Sequence, residues 1–142
     1  MSGYDFSGLW YTIWTDAAVT FILGLIVLIG CVVGALPSKK WLLVAIVGMI
    51  IGFGYSAEYI IYINNPQIEM GEGILIAEHR RDLMAPFTWE YTFEDSDGQR
   101  TSGYLDSFTR KKMLPERFIK GEKYRIYYED QSNIIVKIEK LE

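Results

Sequence analysis

Residues 17–36 decide the fold, and they read A-A-V-T-F-I-L-G-L-I-V-L-I-G-C-V-V-G-A-L, without a charged side chain. At a rise of about 1.5 Å per residue, a helix of this length covers roughly the 30 Å hydrocarbon layer of a bilayer. A second apolar run, W-L-L-V-A-I-V-G-M-I-I-G-F-G-Y-S-A-E-Y-I-I-Y-I, fills residues 41–63. The short polar loop Pro37-Ser-Lys-Lys joins the two runs, so we predict an antiparallel transmembrane hairpin over residues 17–63.

Charge is distributed unevenly around this hairpin. The first 63 residues hold few charged side chains, namely Asp5, Asp16, Lys39, Lys40 and Glu58. The rest of the chain carries 12 Lys and Arg against 15 Asp and Glu, a mixed balance that does not indicate a nucleic-acid site or a polybasic lipid site. A chain of 142 residues leaves room beyond the hairpin for one small water-soluble domain.

Aromatic residues flank the spans, as is typical of helices anchored at a membrane surface. Residues 1–16 are predicted to form an interfacial aromatic segment, whose acidic and aromatic start differs from a cleaved signal peptide. The predicted interface anchors are Trp10, Trp14, Trp41, Glu58, Tyr59 and Tyr62. Glu58 reaches the interface in this interpretation, and ion or proton handling is the alternative for this intramembrane carboxylate.

Small residues recur at helical spacing in both spans, at Gly30, Gly34, Gly48, Gly52 and Ser56. Such residues let helix backbones approach closely where lipid supplies no hydrophobic drive. They predict either packing within the hairpin or a seam for another membrane protein or a second copy of this chain.

Two lysines, Lys39 and Lys40, set the predicted orientation, because positively charged loops stay in the cytoplasm. The sequence therefore predicts a two-pass protein of the bacterial inner membrane with both termini outside the cytoplasm.

Residues 67–142 change from apolar runs to alternation, which predicts strands. Phe87, Trp89, Tyr91 and Phe93 alternate with polar residues, and turn chemistry at Asp95-Ser96-Asp97-Gly98 predicts a hairpin returning over 99–107. Further strands are predicted at 71–78, 121–128 and 134–141, with a loop or single helical turn at 108–118. Five short antiparallel strands without a covering helix predict a small OB-like β-barrel, with an open sheet on the membrane surface as the alternative.

The order of the hairpin, G-E-G-I-L-I, W-E-Y-T-F-E-D-S-D-G-Q-R and G-E-K-Y-R-I-Y-Y-E-D-Q-S-N-I-I-V resembles that of uncharacterised two-span bacterial membrane proteins with a small extracytoplasmic β domain. The resemblance covers residues 71–141 and implies a fold without a reaction. Where that family has a proline in the closing turn, this chain has residues 129–133.

No catalytic, cofactor or metal site is predicted. His79 is the one histidine and Cys31 the one cysteine, which are too few for a zinc site or a disulfide. The acidic stretch 94–97 is interpreted as a turn, with a weak calcium site as the alternative.

Two function classes follow. The preferred one is a non-catalytic membrane-anchored module, such as an immunity or accessory protein, whose β domain binds another protein. The candidate partner contacts are Tyr104, Phe108, Arg110, Lys111, Lys112 and Tyr127, since aromatic and arginine side chains are favoured at the hot spots of binding interfaces. The alternative is a structural subunit of a larger membrane complex or transporter that docks through the glycine-lined hairpin.

Overall fold

A computed structural model describes residues 3–35, 38–80 and 87–142. Pro37 of the predicted loop lies outside the described residues, whereas Ser38, Lys39 and Lys40 form the start of the second helix and are not a loop. In chain order its elements are α1 (Ser7–Val32), α2 (Ser38–Asn64), β1 (Ile68–Arg80), β2 (Thr88–Glu94), β3 (Arg100–Asp106), α3 (Ser107–Met113), β4 (Lys123–Glu129) and β5 (Ile135–Lys140). The coarse prediction of a helix pair followed by a small antiparallel β domain is confirmed.

Helix α1 begins well before the predicted span. Asp5 precedes it, and its Oδ1 accepts a hydrogen bond of 2.9 Å from the Ser7 amide, which satisfies one of the first free N–H groups of the helix. Thr15 lies inside the helix, where its hydroxyl donates to the Tyr11 carbonyl at 2.9 Å. The predicted interfacial segment is therefore the first turns of α1 from Ser7 onward.

The end of α1 has a glycine in the left-handed region. Gly34 has a φ of +74°, and its amide donates to the Cys31 carbonyl at 3.3 Å. The Ala35 amide donates to the Gly30 carbonyl at 3.0 Å. This pair of bonds is a Schellman motif, which uses the carbonyls that the last helical turn leaves free.

The five strands form one antiparallel sheet in the order β3-β2-β1-β4-β5. β1 is 13 residues long, and it pairs with β4 along residues 68–74 and with β2 along residues 74–80. Gly73 lies near this change of partner, where a Cβ would be 2.7 Å from the Glu94 carbonyl oxygen. A side chain at this position would push β2 away from β1.

The sheet is open, so a closed barrel is not confirmed. β3 and β5 form its two edges, and within the described residues one parallel bridge, Tyr104 with Ile134, joins them. Closure stops there because β3 ends at Asp106 and α3 follows. Beside that bridge, the Asp5 amide donates to the Val136 carbonyl at 2.8 Å, so the chain before α1 covers part of the β5 edge.

Aromatic and aliphatic side chains fill one face of the sheet. The buried core consists of Leu75, Tyr91, Phe93, Leu105, Phe118, Tyr124, Ile126 and Ile135. Phe87 differs from the predicted alternation, because β2 begins at Thr88 and Phe87 has a φ of +63° with 53% of its surface exposed. The predicted loop after β3 contains the two-turn helix α3, capped by Asp106, whose Oδ2 accepts from the Thr109 amide at 2.9 Å.

Candidate functional site

A second apolar cluster joins the helix pair to the sheet. Leu9 is fully buried against Ile134 and Val136, and Tyr59 and Ile63 of α2 pack on the same cluster. We call these residues the junction. Because both helices contribute to it, the sheet is fixed to the hairpin at more than its covalent connection.

The predicted partner contacts divide into two groups. Tyr104 and Tyr127 pack against the junction, and the Tyr127 ring lies 5.7 Å from the ring of Tyr4. These tyrosines therefore hold the sheet on the N-terminal segment. The other four predicted contacts, Phe108, Arg110, Lys111 and Lys112, all lie on α3.

A pocket of about 490 Å³ opens between α3, the ends of β1 and β2, and the segment before β4. We call it the cationic pocket. Its lining residues are Glu78, Trp89, Tyr91, Ser107, Arg110, Lys111, Arg117 and Phe118. Three cations against one carboxylate leave a positive charge surplus beside three aromatic rings.

Arg110 is the buried cation of this pocket, with 8% of its surface exposed. Its Nη1 donates to the Leu114 carbonyl at 3.2 Å and to the Glu116 carbonyl at 3.0 Å. These bonds fold the segment after α3 back over the pocket and bring Arg117 to its wall. Arg110 thus has a structural role in addition to its charge.

Tyr91 lies between these cations and the core, with its ring 4.5 Å from that of Phe118. Burial, together with the charge of Glu78, raises the pKa of Tyr91 to about 12, while Arg110 and Arg117 act in the opposite direction. The phenol therefore stays neutral and can donate or accept a hydrogen bond near the pocket at physiological pH.

The predicted helix-packing residues have different surroundings. A Cβ at Gly52 would lie 2.3 Å from Thr20 Cγ2, so α1 and α2 touch there, whereas a Cβ at Gly48 would have nothing within 4 Å. Ser56 is buried and its hydroxyl donates to the Gly52 carbonyl at 3.1 Å. Gly30 is half-buried in α1, and Gly34 lies beyond its end.

Gly24 also contacts the facing helix, since its Cβ would lie 2.7 Å from Met49 Sδ, although the sequence analysis did not single it out. Beside these contacts runs an apolar groove of about 320 Å³, lined by residues of both helices that include Thr20, Gly24 and Gly48.

Four of the six predicted interface anchors lie on the outer surface of the helix pair, whereas Tyr59 and Tyr62 are half-buried and Tyr59 packs on the junction. Trp10, Trp14 and Trp41 are 44%, 70% and 40% exposed, and Glu58 is exposed on α2. Tyr59 and Tyr62 contact each other edge to face, with ring centroids 5.7 Å apart.

Within the described residues, neither His79 nor the acidic stretch 94–97 forms part of a ligand-binding site. His79 is exposed near the end of β1. The Asp95 carboxylate accepts hydrogen bonds from the amides of Asp97 and Gln99, which is the geometry of a turn. Across residues 3–35, 38–80 and 87–142, no three His, Cys, Asp or Glu side chains lie close enough together to hold a metal ion.

Six of the eight residues that line the cationic pocket were absent from the predicted contacts. Glu78, Trp89, Tyr91, Arg117 and Phe118 come from three separate segments, and α3 with its following turn assembles them. The usable sequence signal was Asp106, an N-cap residue that begins a helix placing Arg110 and Lys111 on one side. Comparison of the sequence with protein-family models and with curated proteins finds no match to either.

Proposed function

We propose that this protein is a membrane-anchored, non-catalytic binding module whose sheet domain recognises another protein at the bilayer surface. Insertion is supported by α1 and α2, two 26-residue stretches long and apolar enough to cross a membrane. Only 6% and 12% of their most apolar windows are buried within the protein, unlike the core helices of a water-soluble protein. An exposed apolar surface of this kind supports a position of both helices in lipid.

We further propose a bacterial inner-membrane location with both termini outside the cytoplasm. Lys39 and Lys40 begin α2 at the end of the hairpin away from the sheet, and positive charge favours the cytoplasmic side. Alkaline phosphatase fused after Glu142 would be active in this orientation, and an inactive fusion of full-length protein would contradict it.

The sheet is proposed to be OB-like in its topology. Its support is the strand order, with the long β1 shared between β2 and β4, helix α3 between β3 and β4, and the edges β3 and β5 touching in parallel. Folds of this kind present a concave surface for extended ligands.

The cationic pocket carries the functional proposal. Arg110, Lys111 and Arg117 stand beside aromatic rings, and arginine and aromatic side chains supply most of the energy in protein interfaces. The charge surplus selects a partner segment with acidic side chains. Because the junction fixes the sheet to the helices, the pocket is held at a constant height above the membrane, as suits an immunity or accessory protein acting on a membrane-associated target.

Affinity purification from membranes in gentle detergent tests this function. Full-length protein is compared with the double variant Lys111→Glu, Arg117→Glu and with the charge-matched control Arg100→Glu, Lys123→Glu, whose residues lie outside the pocket. We expect the same copurifying protein with the wild type and the control, and its loss with the pocket variant. A partner retained by the pocket variant would overturn the proposal.

The second candidate function is a structural subunit that docks through the hairpin, and the apolar groove favours it. Gly48 borders this groove without packing on the facing helix. Gly48→Leu would fill the groove, so loss of the copurifying protein with this variant alone would identify the helices as the docking element.

A further inference from the structure

Four aromatic side chains form a surface on one side of the molecule, where α3 meets α1. We call the set Tyr11, Trp14, Phe87 and Phe108 the aromatic lip. The Phe108 ring lies 6.0 Å from Tyr11 and 5.8 Å from Phe87. Trp14 follows Tyr11 by three residues and so lies on the same side of α1, one turn farther from the sheet.

The lip points away from the protein. Trp14, Phe108 and Phe87 are 70%, 58% and 53% exposed, which is unusual for neighbouring large apolar side chains. They form no part of the domain core. Within the described part of the chain, these three side chains are left largely exposed.

Phe87 also has a strained backbone. Its φ of +63° lies in the left-handed region, which bulky side chains rarely adopt. With this backbone conformation, the Phe87 ring does not follow the alternating pattern of β2 and instead contacts the ring of Phe108. Burial within the protein does not offset the strain, because the ring stays half exposed.

The height of the lip follows from the packing of the hairpin. Gly52 faces Thr20 and the helices run in opposite directions, so Ile60 lies level with Thr12. A span of about 20 residues counted from Trp41 ends at Ile60, and one counted back from Val32 ends at Ile13. Both counts place the edge of the hydrocarbon next to Tyr11.

Cations border the lip on α3. Lys111 is exposed one turn after Phe108, and Lys112 is held against the N-terminal segment, where its Nζ lies 3.1 Å from Ser7 Oγ and 3.9 Å from Asp5 Oδ2. Aromatic rings with adjacent lysines are the composition that binds at the boundary between headgroups and acyl chains.

We propose that the aromatic lip is a second membrane contact, in which Phe87 and Phe108 enter the interfacial layer of a bilayer containing anionic phospholipid. This inference rests on the proposed insertion of the hairpin. The lip continues the exposed apolar surface of α1 outward onto the sheet domain, so the domain lies with α3 against the bilayer. Lys111 of α3 also lines the cationic pocket, so the pocket then opens at headgroup height.

Spin labels on full-length protein in vesicles of phosphatidylcholine and phosphatidylglycerol test the contact. The single cysteine is first removed as Cys31→Ala, and labels are attached at Phe108→Cys or Phe87→Cys. Gln99→Cys, in the turn between β2 and β3, is the control in water, and Leu25→Cys in mid-α1 is the control in lipid. Accessibility is measured to oxygen, which concentrates in lipid, and to a water-soluble nickel chelate.

We expect labels at 87 and 108 to show severalfold higher oxygen-to-nickel accessibility than the label at 99, and lower accessibility than the label at 25. Values at 87 and 108 equal to that at 99, with the label at 25 in lipid, would overturn the lip contact and leave the insertion standing. A water-exposed label at 25 would overturn both.

Discussion

The amide of Asp5 donates a 2.8 Å hydrogen bond to the carbonyl of Val136, so the start of the chain pairs with its last strand. Four residues later Leu9 is fully buried on the same strand region. Helix α1 and the edge of the sheet are thus stabilised by one set of contacts, so a change at the start of α1 should alter the stability of the sheet domain.

Leu9→Ala should destabilise the attachment of the sheet to the hairpin. Truncating a fully buried leucine costs about 2–5 kcal/mol, because the removed methyl groups leave a cavity against Ile134 and Val136. We expect a lower midpoint for thermal unfolding of the domain in detergent micelles, and faster exchange of the Asp5 amide. Leu25→Ala is the matched control, since Leu25 is 44% exposed. Equal midpoints for the two variants would contradict the role of the junction.

Much of the fold could be predicted because its signals are local. Uncharged runs of span length identify the two helices, and alternation near Tyr91 and Phe93 identifies β2. The spacing of Leu9, Trp10, Ile13 and Trp14 also fits a helix before the span, but the contact of Leu9 with Ile134 and Val136 at the far end of the chain could not be read in this way. This contact is a tertiary effect.

The candidate site was harder to predict for the same physical reason. Tyr104 and Tyr127 lie in strands with alternating polar residues, so they looked like solvent-facing contacts, but the N-terminal segment covers them. Arg117 gave no local signal, since it reaches the pocket only after Arg110 bonds the carbonyls of Leu114 and Glu116. Closure of the sheet depends on how β3 and β5 approach, which no strand pattern encodes.

Gly52→Leu should loosen the hairpin. A Cβ at this position lies 2.3 Å from Thr20 Cγ2, so a larger side chain forces α1 and α2 apart at a cost of about 1–3 kcal/mol. Circular dichroism in detergent should show unchanged helix content and a lower unfolding midpoint. Gly48→Leu serves as the control, because a Cβ there meets nothing within 4 Å. Helix propensity favours leucine over glycine at both positions, so equal unfolding midpoints for the two variants would contradict the role of the contact with Thr20.

Ionisation of the Tyr91 phenol should destabilise the folded domain at alkaline pH. Its pKa is raised from 10.0 to about 12 by burial, so its contribution to folding is complete below pH 10.0 and is lost as pH rises toward about 12. Between about pH 9 and about pH 11, we expect the wild type to lose about 1 kcal/mol more unfolding free energy than Tyr91→Phe. Urea unfolding at both pH values measures the difference, and the other tyrosines cancel between the two proteins. Identical losses would mean that Tyr91 ionises at its ordinary pKa in the folded domain.

Arg110→Met should lower the unfolding free energy of the domain more than replacement of an exposed arginine does. The variant keeps an apolar stem of similar length but leaves the Leu114 and Glu116 carbonyls without their donor, and a hydrogen bond from a charged group is worth about 1.5–3 kcal/mol. Arg100→Met is the control, because Arg100 forms an exposed ion pair with Glu94, which contributes at most about 1 kcal/mol.

The same pair of variants separates structure from recognition at the cationic pocket. Urea unfolding should show a loss of about 2–4 kcal/mol for Arg110→Met and little change for Arg100→Met. Hydrogen exchange over residues 114–118 should accelerate in the first variant alone, because those bonds hold this segment over the pocket. If Arg110→Met unfolds and exchanges like the wild type, the guanidinium does not organise the pocket wall, and its burial beside Tyr91 serves the bound partner alone.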